Sequence, residues 1–340
     1  MMETNLVNDI RKGLTDTRLN LEQWNETASA EDRQTCLGVE GESCLQAHLH
    51  VVDTSLEKLE SGTLGICEVC HGRVDESLLR MDYTSCICLD HYSPQERREL
   101  ETELELSQEV QRALLPQRVP SIRGVEVAAF SRPAQIVSGD YFDFLQFKDG
   151  AHGLVIADVS GHGVAAGMLM TSLQTAFHTL VPETDSPVDV LKRLNRLYVH
   201  NINFSTFVTV LFARLDPVTR ILDYANAGHN PALHYRPAAG QTTWLSPTGA
   251  AIGLMEAFTV QRKSIQLEPG DTLLFYTDGV TEAANARGEF FDRERLEEIV
   301  RRNAQTPAEG LIRELLQGLN GFTNGRPLLD DVTLVVFKVK

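Results

Sequence analysis

Four aspartate sites stand at the ends of β-forming runs in this chain, and they constrain its fold more than any other feature. Asp158 closes the apolar run GLVIAD and meets the glycine-rich VSGHG, and Asp278 closes LLFYTD and meets Gly279. The pair Asp330–Asp331 immediately precedes VTLVVF, and Asp140 follows a glycine in VSGDYFDF. A single Gly-Asp needs no explanation beyond turn geometry. Four such sites in one region imply strands whose ends converge on a common point. Clustered carboxylates repel, so a shared point requires cations, and hard oxygen donors select Mg²⁺ or Mn²⁺. Two such ions a few ångströms apart can activate a water and stabilise an in-line displacement at phosphorus.

The surrounding text supports that reading. Residues 125–130, 153–159, 205–215, 271–279 and 331–339 read as strands, rich in β-branched and aromatic residues and bounded by glycine turns. Residues 164–180, 187–199, 292–302 and 307–320 have helical periodicity. Strands in succession with helices grouped between them predict an α+β fold of packed antiparallel sheets flanked by helices. At 340 residues the chain is long for one core and is expected to form more than one domain.

The N-terminal third differs in character. Residues 3–60 read as two helices of a hairpin, separated at GVEGES (38–43), with Leu45, Leu49, Val52, Leu56 and Leu59 at spacings of three and four. All six cysteines precede residue 89. A disulfide framework belongs to small secreted domains; clustered cysteines in a chain of this size point to metal. Cys67 and Cys70 form one Cys-x2-Cys knuckle, and Cys88 with His91 repeats the gap seventeen residues later, which suits tetrahedral Zn²⁺. Cys86 competes for either place in the second knuckle. This stretch resembles the zinc finger of the DksA/TraR family: a helical hairpin, Gly-Ile-Cys-x2-Cys, an Arg-containing spacer and a second knuckle, in which that family has cysteine where this chain has His91. An acidic hairpin tip of the kind that family inserts into RNA polymerase is not evident.

The net charge of −16 falls mostly in this N-terminal third and disfavours direct binding of DNA or RNA. The N-terminus lacks the apolar stretch of a secretion signal, and no apolar run approaches the ~18 residues that cross a bilayer, so a cytoplasmic location without membrane partners is expected. Between the two regions, 94–115 reads as one helix, begun by Ser93 and Pro94 and ended at Pro116. Its stripe of Leu100, Leu104, Leu106, Val110, Ala113 and Leu114 suits either packing on its own domain or a homodimer through the helix. The organisation expected is therefore a hairpin and finger (1–93), a linker helix (94–118) and a catalytic domain (119–340).

The blocks VSGDYFD, ADVSGHG, TFVTVLFARLD, ANAGHNPALHY, FYTDGVTEA and DDVTLVV, in that order and spacing, resemble the SpoIIE/RsbU branch of the metal-dependent, 2C-like (PPM) serine phosphatases, across about residues 105–340. The resemblance implies an α/β/β/α sandwich with a two-manganese site (Mn²⁺ or Mg²⁺) at one edge of the sheets. It implies that Asp140, Asp158, Asp278 and one of Asp330 and Asp331 bind metal, together with the backbone carbonyl of Val159. Asp330 is favoured over Asp331, because related phosphatases often carry Asp-Asn at that doublet. Ser138 departs from the branch's usual Gly-Gly-Asp. Gly161 and Gly163 are expected to allow close backbone approach, TGAAIG (248–253) to supply a cleft loop, and His162 and His229 to serve turns rather than chemistry.

The function expected is dephosphorylation of serine or threonine in a protein, with a phosphorylated STAS-type anti-anti-sigma regulator as the substrate this branch implies. Two other classes remain: a non-catalytic module that only binds the partner, and a regulator of the transcription machinery acting through the finger. Retention of every acidic position argues against the first, since a degenerate site could lose them freely. Against the second the acidic charge says nothing, because that target would be protein.

Overall fold

The computed structural model describes residues 7, 10, 11, 14, 15, 18, 41–74, 79, 86, 88, 91, 93–134, 136–161, 163–199, 207–326, 328 and 330–340. The chain divides into two compact units, one running to Leu104 and the other comprising Glu105–His200 and Phe207–Lys340. The division falls inside a helix, between the boundaries at 93 and 118 expected for a separate linker.

In the first unit, helix α1 (Gly41–Glu60) begins within the GVEGES stretch. It buries Val52 and Leu59 with Ile10, Leu14 and Leu64 in a small apolar cluster. A second cluster joins Cys67, Val74, Leu79 and Cys88. Helix α2 (Pro94–Leu114) crosses the boundary, with proline in its first turn where the missing N–H costs nothing.

The second unit contains β1 (Val125–Arg132), β2 (Asp140–Gln146), β3 (His152–Val159), α3 (Gly163–Leu180), α4 (Pro187–Val199), β4 (Val208–Asp216), β5 (Ile221–Ala227), β6 (Ala232–Arg236), β7 (Gln241–Leu245), β8 (Lys263–Gln266), β9 (Thr272–Tyr276), α5 (Asp278–Thr281), α6 (Asp292–Arg302), α7 (Ala308–Thr323) and β10 (Val332–Val339). Two five-stranded sheets form, in the orders β1-β10-β9-β6-β7 and β2-β3-β4-β5-β8. Every described pairing in them is antiparallel. This is the α/β/β/α sandwich expected of a 2C-like phosphatase.

Strand alternation makes the layers. On β2, Phe142 points between the sheets, where it joins Ile156 and Leu211 from its own sheet and Phe275 and Phe337 from the other. Tyr141, one residue earlier, faces the opposite way and meets Phe177 of α3 at a ring separation of 6.0 Å. On the far side, α6 and α7 bury Leu296, Val300, Leu311 and Leu315 against Leu274, Leu334 and Val336. Helix α3 with its following turn is, by length and composition, apolar enough to cross a membrane. Its Met170, Leu173 and Phe177 are nonetheless fully buried, and Phe177 packs edge-on to Phe212 of β4, so here it serves as a core helix.

Local signals set the helix ends. Ser186 caps α4, its Oγ accepting from the N–H of Asp189 at 3.3 Å, and Pro187 opens the first turn. Asn324, at φ +56°, ends α7 in the left-handed conformation that asparagine tolerates. Gly161 precedes α3 at φ +97° and Gly163 opens it at φ +76°. A Cβ on Gly161 would meet nothing within 4 Å, so this residue supplies a backbone conformation and not the close approach its sequence suggests. His162 lies outside the described residues.

Candidate active site and the cysteine cluster

The antiparallel register brings the aspartates to one end of the sandwich. Asp140 opens β2 directly opposite Asp158 near the end of β3. Tyr276, the last residue of β9, pairs with Leu334 of β10, so the segment Thr277–Asp278 lies beside Asp330–Asp331 at the mouth of both strands. Asp278 heads the short helix α5 instead of ending a strand. The approach is tight: a Cβ on Gly279 would lie 1.9 Å from the Asp331 carbonyl oxygen, so only glycine fits after Asp278.

Asp140 is 2% exposed, and its Oδ2 accepts from the hydroxyls of Thr277 (2.8 Å) and Thr333 (2.7 Å). Burial, and then the charge of Asp331, push its pKa well above the ordinary carboxylate value, against the pull of the two hydroxyls. Asp158 is raised well above it too, by burial first and then by Asp140, Asp278, Asp330 and Asp331. Burial raises Asp278, with Glu282 and Asp331 contributing, and raises Asp330 to about 6, with Asp278 contributing. Carboxyls that resist ionisation first through burial and then through neighbouring negative charge form an anionic site short of positive charge. The chemistry of the donor set fits hard divalent cations, and Asp140, Asp158, Asp278 and Asp330 are the residues that could hold them.

Asp331 is employed differently. Its Oδ1 accepts from the Ala134 N–H (2.7 Å), and its Oδ2 accepts from the Ser138 hydroxyl (2.6 Å) and the Gly139 N–H (2.8 Å). It thereby latches the loop leading into Asp140. Among the described residues Asp330 accepts from the N–H of Asp331 alone, at 2.8 Å, leaving most of its lone pairs available. Ser138, the departure from the Gly-Gly-Asp pattern, turns out to be built in: it donates to Asp331, and its Oγ accepts from the Asp140 N–H at 3.0 Å. Gly139 allows a close approach: a Cβ there would stand 3.0 Å from the Val159 carbonyl oxygen, the backbone atom expected to face a metal, and would press on it.

Gln111, near the end of α2, is bonded twice to the same loop: its Nε2 donates to the Ser138 carbonyl and its Oε1 accepts from the Ser138 N–H, both at 2.8 Å. Nothing in the apolar stripe of that helix signals this contact. Asp143, which shares the GDYFD stretch, faces away from the cluster and accepts from Tyr141 (3.0 Å) while meeting His178 Nε2 at 2.7 Å. His229 is 2% exposed and pairs with the Thr209 hydroxyl at 2.8 Å, and burial lowers its pKa to about 4. With Asn226 accepting from its N–H and donating to its carbonyl, it serves the turn after β5 as a neutral ring.

In the N-terminal unit, Cys67, Cys70, Cys88 and His91 converge, with one donor atom from each lying within 4.8 Å of the others. The aspartates form a looser group. Cys67 Sγ accepts from the Cys88 N–H (3.4 Å) and Cys70 Sγ from the Gly72 N–H (3.3 Å), the bonds that orient thiolates in a knuckle. Burial raises the Cys67 thiol, but bonds from the backbone of Cys70, Cys88 and Val69 outweigh it and bring it down to about 6. Cys86 stands apart from this set: its carbonyl accepts from the Glu68 N–H, and burial and then Glu68 push its thiol up.

A two-sheet sandwich carrying carboxylates at one end of its strands defines the 2C-like class of metal-dependent protein phosphatases. Residues 148–340 match the family model described as Stage II sporulation protein E (SpoIIE), and the chain belongs to that family of serine phosphatases. It is 31% identical to the phosphoserine phosphatase RsbU of Bacillus subtilis over 245 residues, covering 72% of each chain. It is 27% identical to the phosphoserine phosphatase RsbP of the same organism, covering 70% of this chain and 58% of RsbP. Among solved structures, the SiaA PP2C domain of Pseudomonas aeruginosa shares the fold, with a TM-score of 0.65 at 20% identity, over 72% of this chain and 98% of that domain. The RsbU and RsbW domains of Rv1364c from Mycobacterium tuberculosis align with a TM-score of 0.56 at 29% identity, over 67% of this chain and 63% of that one.

Proposed function

We propose that the chain is a divalent-metal-dependent protein phosphatase that hydrolyses phosphoserine or phosphothreonine on a small STAS-domain regulator, within a partner-switching pathway. The observation that carries this reading is the convergence of Asp140, Asp158, Asp278 and Asp330, together with the SpoIIE family and the phosphoserine phosphatases among its relatives. Asp158 and Asp278 hold the cations, Asp140 and Asp330 complete the carboxylate shell, and Asp331 holds the loop that carries Asp140. When bound, a pair of Mn²⁺ or Mg²⁺ ions acidifies the attacking water and neutralises charge on the transferring phosphoryl group. Thr277 and Thr333 fix the orientation of Asp140, and Asp331 keeps Ser138 and Gly139 in place beside the Val159 carbonyl. Manganese-dependent release of phosphate from a phosphoserine protein, lost on chelation, tests the reading.

The four donors Cys67, Cys70, Cys88 and His91 suit Zn²⁺, whose structural sites take four N or S ligands. Self-association through α2 is part of the same reading and is supported by the exposure of Leu106 and Val110; light scattering of wild type and Leu106→Asp would check it.

A further inference from the structure

A cavity of about 390 Å³ opens between β1 and α7 in the phosphatase unit. Its floor is apolar, formed by Phe130, Leu316 and Leu328 at the edge of the outer core. Arg132, Arg313 and Arg326 stand around it, and among the described residues no Asp or Glu lines it. In a chain with a net charge of −16 this is a local reversal of sign. All three arginines are exposed, and none makes an ion pair among the described residues.

The place of this cavity in the fold ties it to the site. Arg132 is the last residue of β1 and pairs with Val332, the residue that follows Asp331. Arg326 and Leu328 lie on the segment that leads from α7 into Asp330. Whatever seats here lies beside the carboxylate end of the sandwich, along the same stretch of backbone.

We propose that this cavity docks an acidic segment of the phosphoprotein substrate, in which an apolar side chain fills the floor and flanking carboxylates meet the arginines. The proposal rests on the phosphatase reading and extends it to substrate recognition. Guanidinium groups grouped without partners repel one another and pair in planar fashion with carboxylates. A bare phosphate would satisfy the arginines and leave the apolar floor uncovered. A nucleic acid or an anionic lipid surface would meet the field of an acidic protein over a wide area, whereas a short peptide meets only the reversed patch. Charge pairs at such a rim set partner choice, while a buried apolar anchor supplies affinity.

Three fluorescent phosphoserine peptides of equal length test this, carrying Glu-Leu-Glu, Gln-Leu-Gln or Glu-Ser-Glu at the same distance from the phosphoserine. Anisotropy should show full-length wild type binding the first at least about tenfold more tightly than either of the others. Arg313→Glu and Arg132→Glu should each abolish that preference while hydrolysis of p-nitrophenyl phosphate stays at the wild-type rate. Equal affinity for Glu-Leu-Glu and Gln-Leu-Gln would overturn the proposal, as would a preference that survives both substitutions. Equal affinity for Glu-Leu-Glu and Glu-Ser-Glu would also overturn it, leaving a simple anion site. Anisotropy reads docking whether or not phosphate is released, so a wild type inert toward p-nitrophenyl phosphate would strike the phosphatase reading alone.

Discussion

Asp330 and Asp331 are neighbours of identical chemistry, yet their surroundings give them opposite signatures on removal. Asp331→Ala deletes the acceptor of three short hydrogen bonds, from Ala134, Ser138 and Gly139. A bond to a charged acceptor contributes ~1.5–3 kcal/mol. Ala134 is exposed and its N–H can turn to water, so the losses that count are the two at Ser138 and Gly139, about 3–6 kcal/mol. Relief of the repulsion that Asp331 exerts on Asp140 and Asp158 offsets part of this, leaving ~2–4 kcal/mol. For a unit of this size that is a fall in melting temperature of about 5–15 °C. Asp330→Ala, in contrast, removes a carboxylate that accepts one backbone bond and is pushed up by burial and Asp278. The metal-free protein should melt at the same temperature or higher. Its response to metal should disappear, because a ligand is gone. Thermal melting of both variants after metal removal, then with added Mn²⁺, separates the two roles. An Asp330→Ala protein that melts well below wild type without metal and is still raised by Mn²⁺ would refute the assignment.

Three further outcomes follow from the same geometry. Thr277→Val or Thr333→Val removes one of the two hydroxyls on Asp140 and should weaken Mn²⁺ binding about 10–100-fold by calorimetric titration, with little change in fold. The folded pKa of Asp330 lies above its unfolded value, so the stability it contributes is full below the unfolded pKa and is lost as pH rises through about 6. The melting temperature of the metal-free protein should accordingly fall between about pH 4 and pH 7, less steeply in Asp330→Asn, and a flat profile would contradict this. Metal analysis should find one zinc per chain, lost in Cys67→Ser and retained in Cys86→Ser; loss in Cys86→Ser would mean the ligand set is wrong.

Strands and helices of the phosphatase unit were legible wherever burial wrote a period into the sequence. The helix read at 292–302 has those bounds in the structure, and β10 lies within the run read as 331–339. Strand β2 and strands β5 to β8 were not legible as strands because polar residues interrupt them: β2 is DYFDFLQ, β7 is QTTWL and β8 is KSIQ, the last two largely at the surface. The aspartates announced themselves by standing at the ends of apolar runs. Their partners did not. Thr277 and Thr333 are ordinary strand-end threonines until the β9–β10 register sets both hydroxyls on Asp140. Gln111 sits on a helix whose readable signal is its leucines, and its bonds to Ser138 depend on a contact 27 residues away. Asp143, three residues after Asp140 in the same stretch, takes no part in the acidic group, because strand alternation turns it toward Tyr141 and His178.

The most direct test of the account is the rate of phosphate release from a phosphorylated STAS-domain protein by wild type, Asp158→Asn and Asp278→Asn, with and without Mn²⁺. Each substitution deletes a cation ligand from a site whose remaining carboxylates repel, so rate and metal affinity should fall together. The account predicts manganese-dependent turnover in wild type and losses of about a hundredfold or more in both variants. Equal rates in all three proteins, or wild-type turnover indifferent to Mn²⁺, would contradict it.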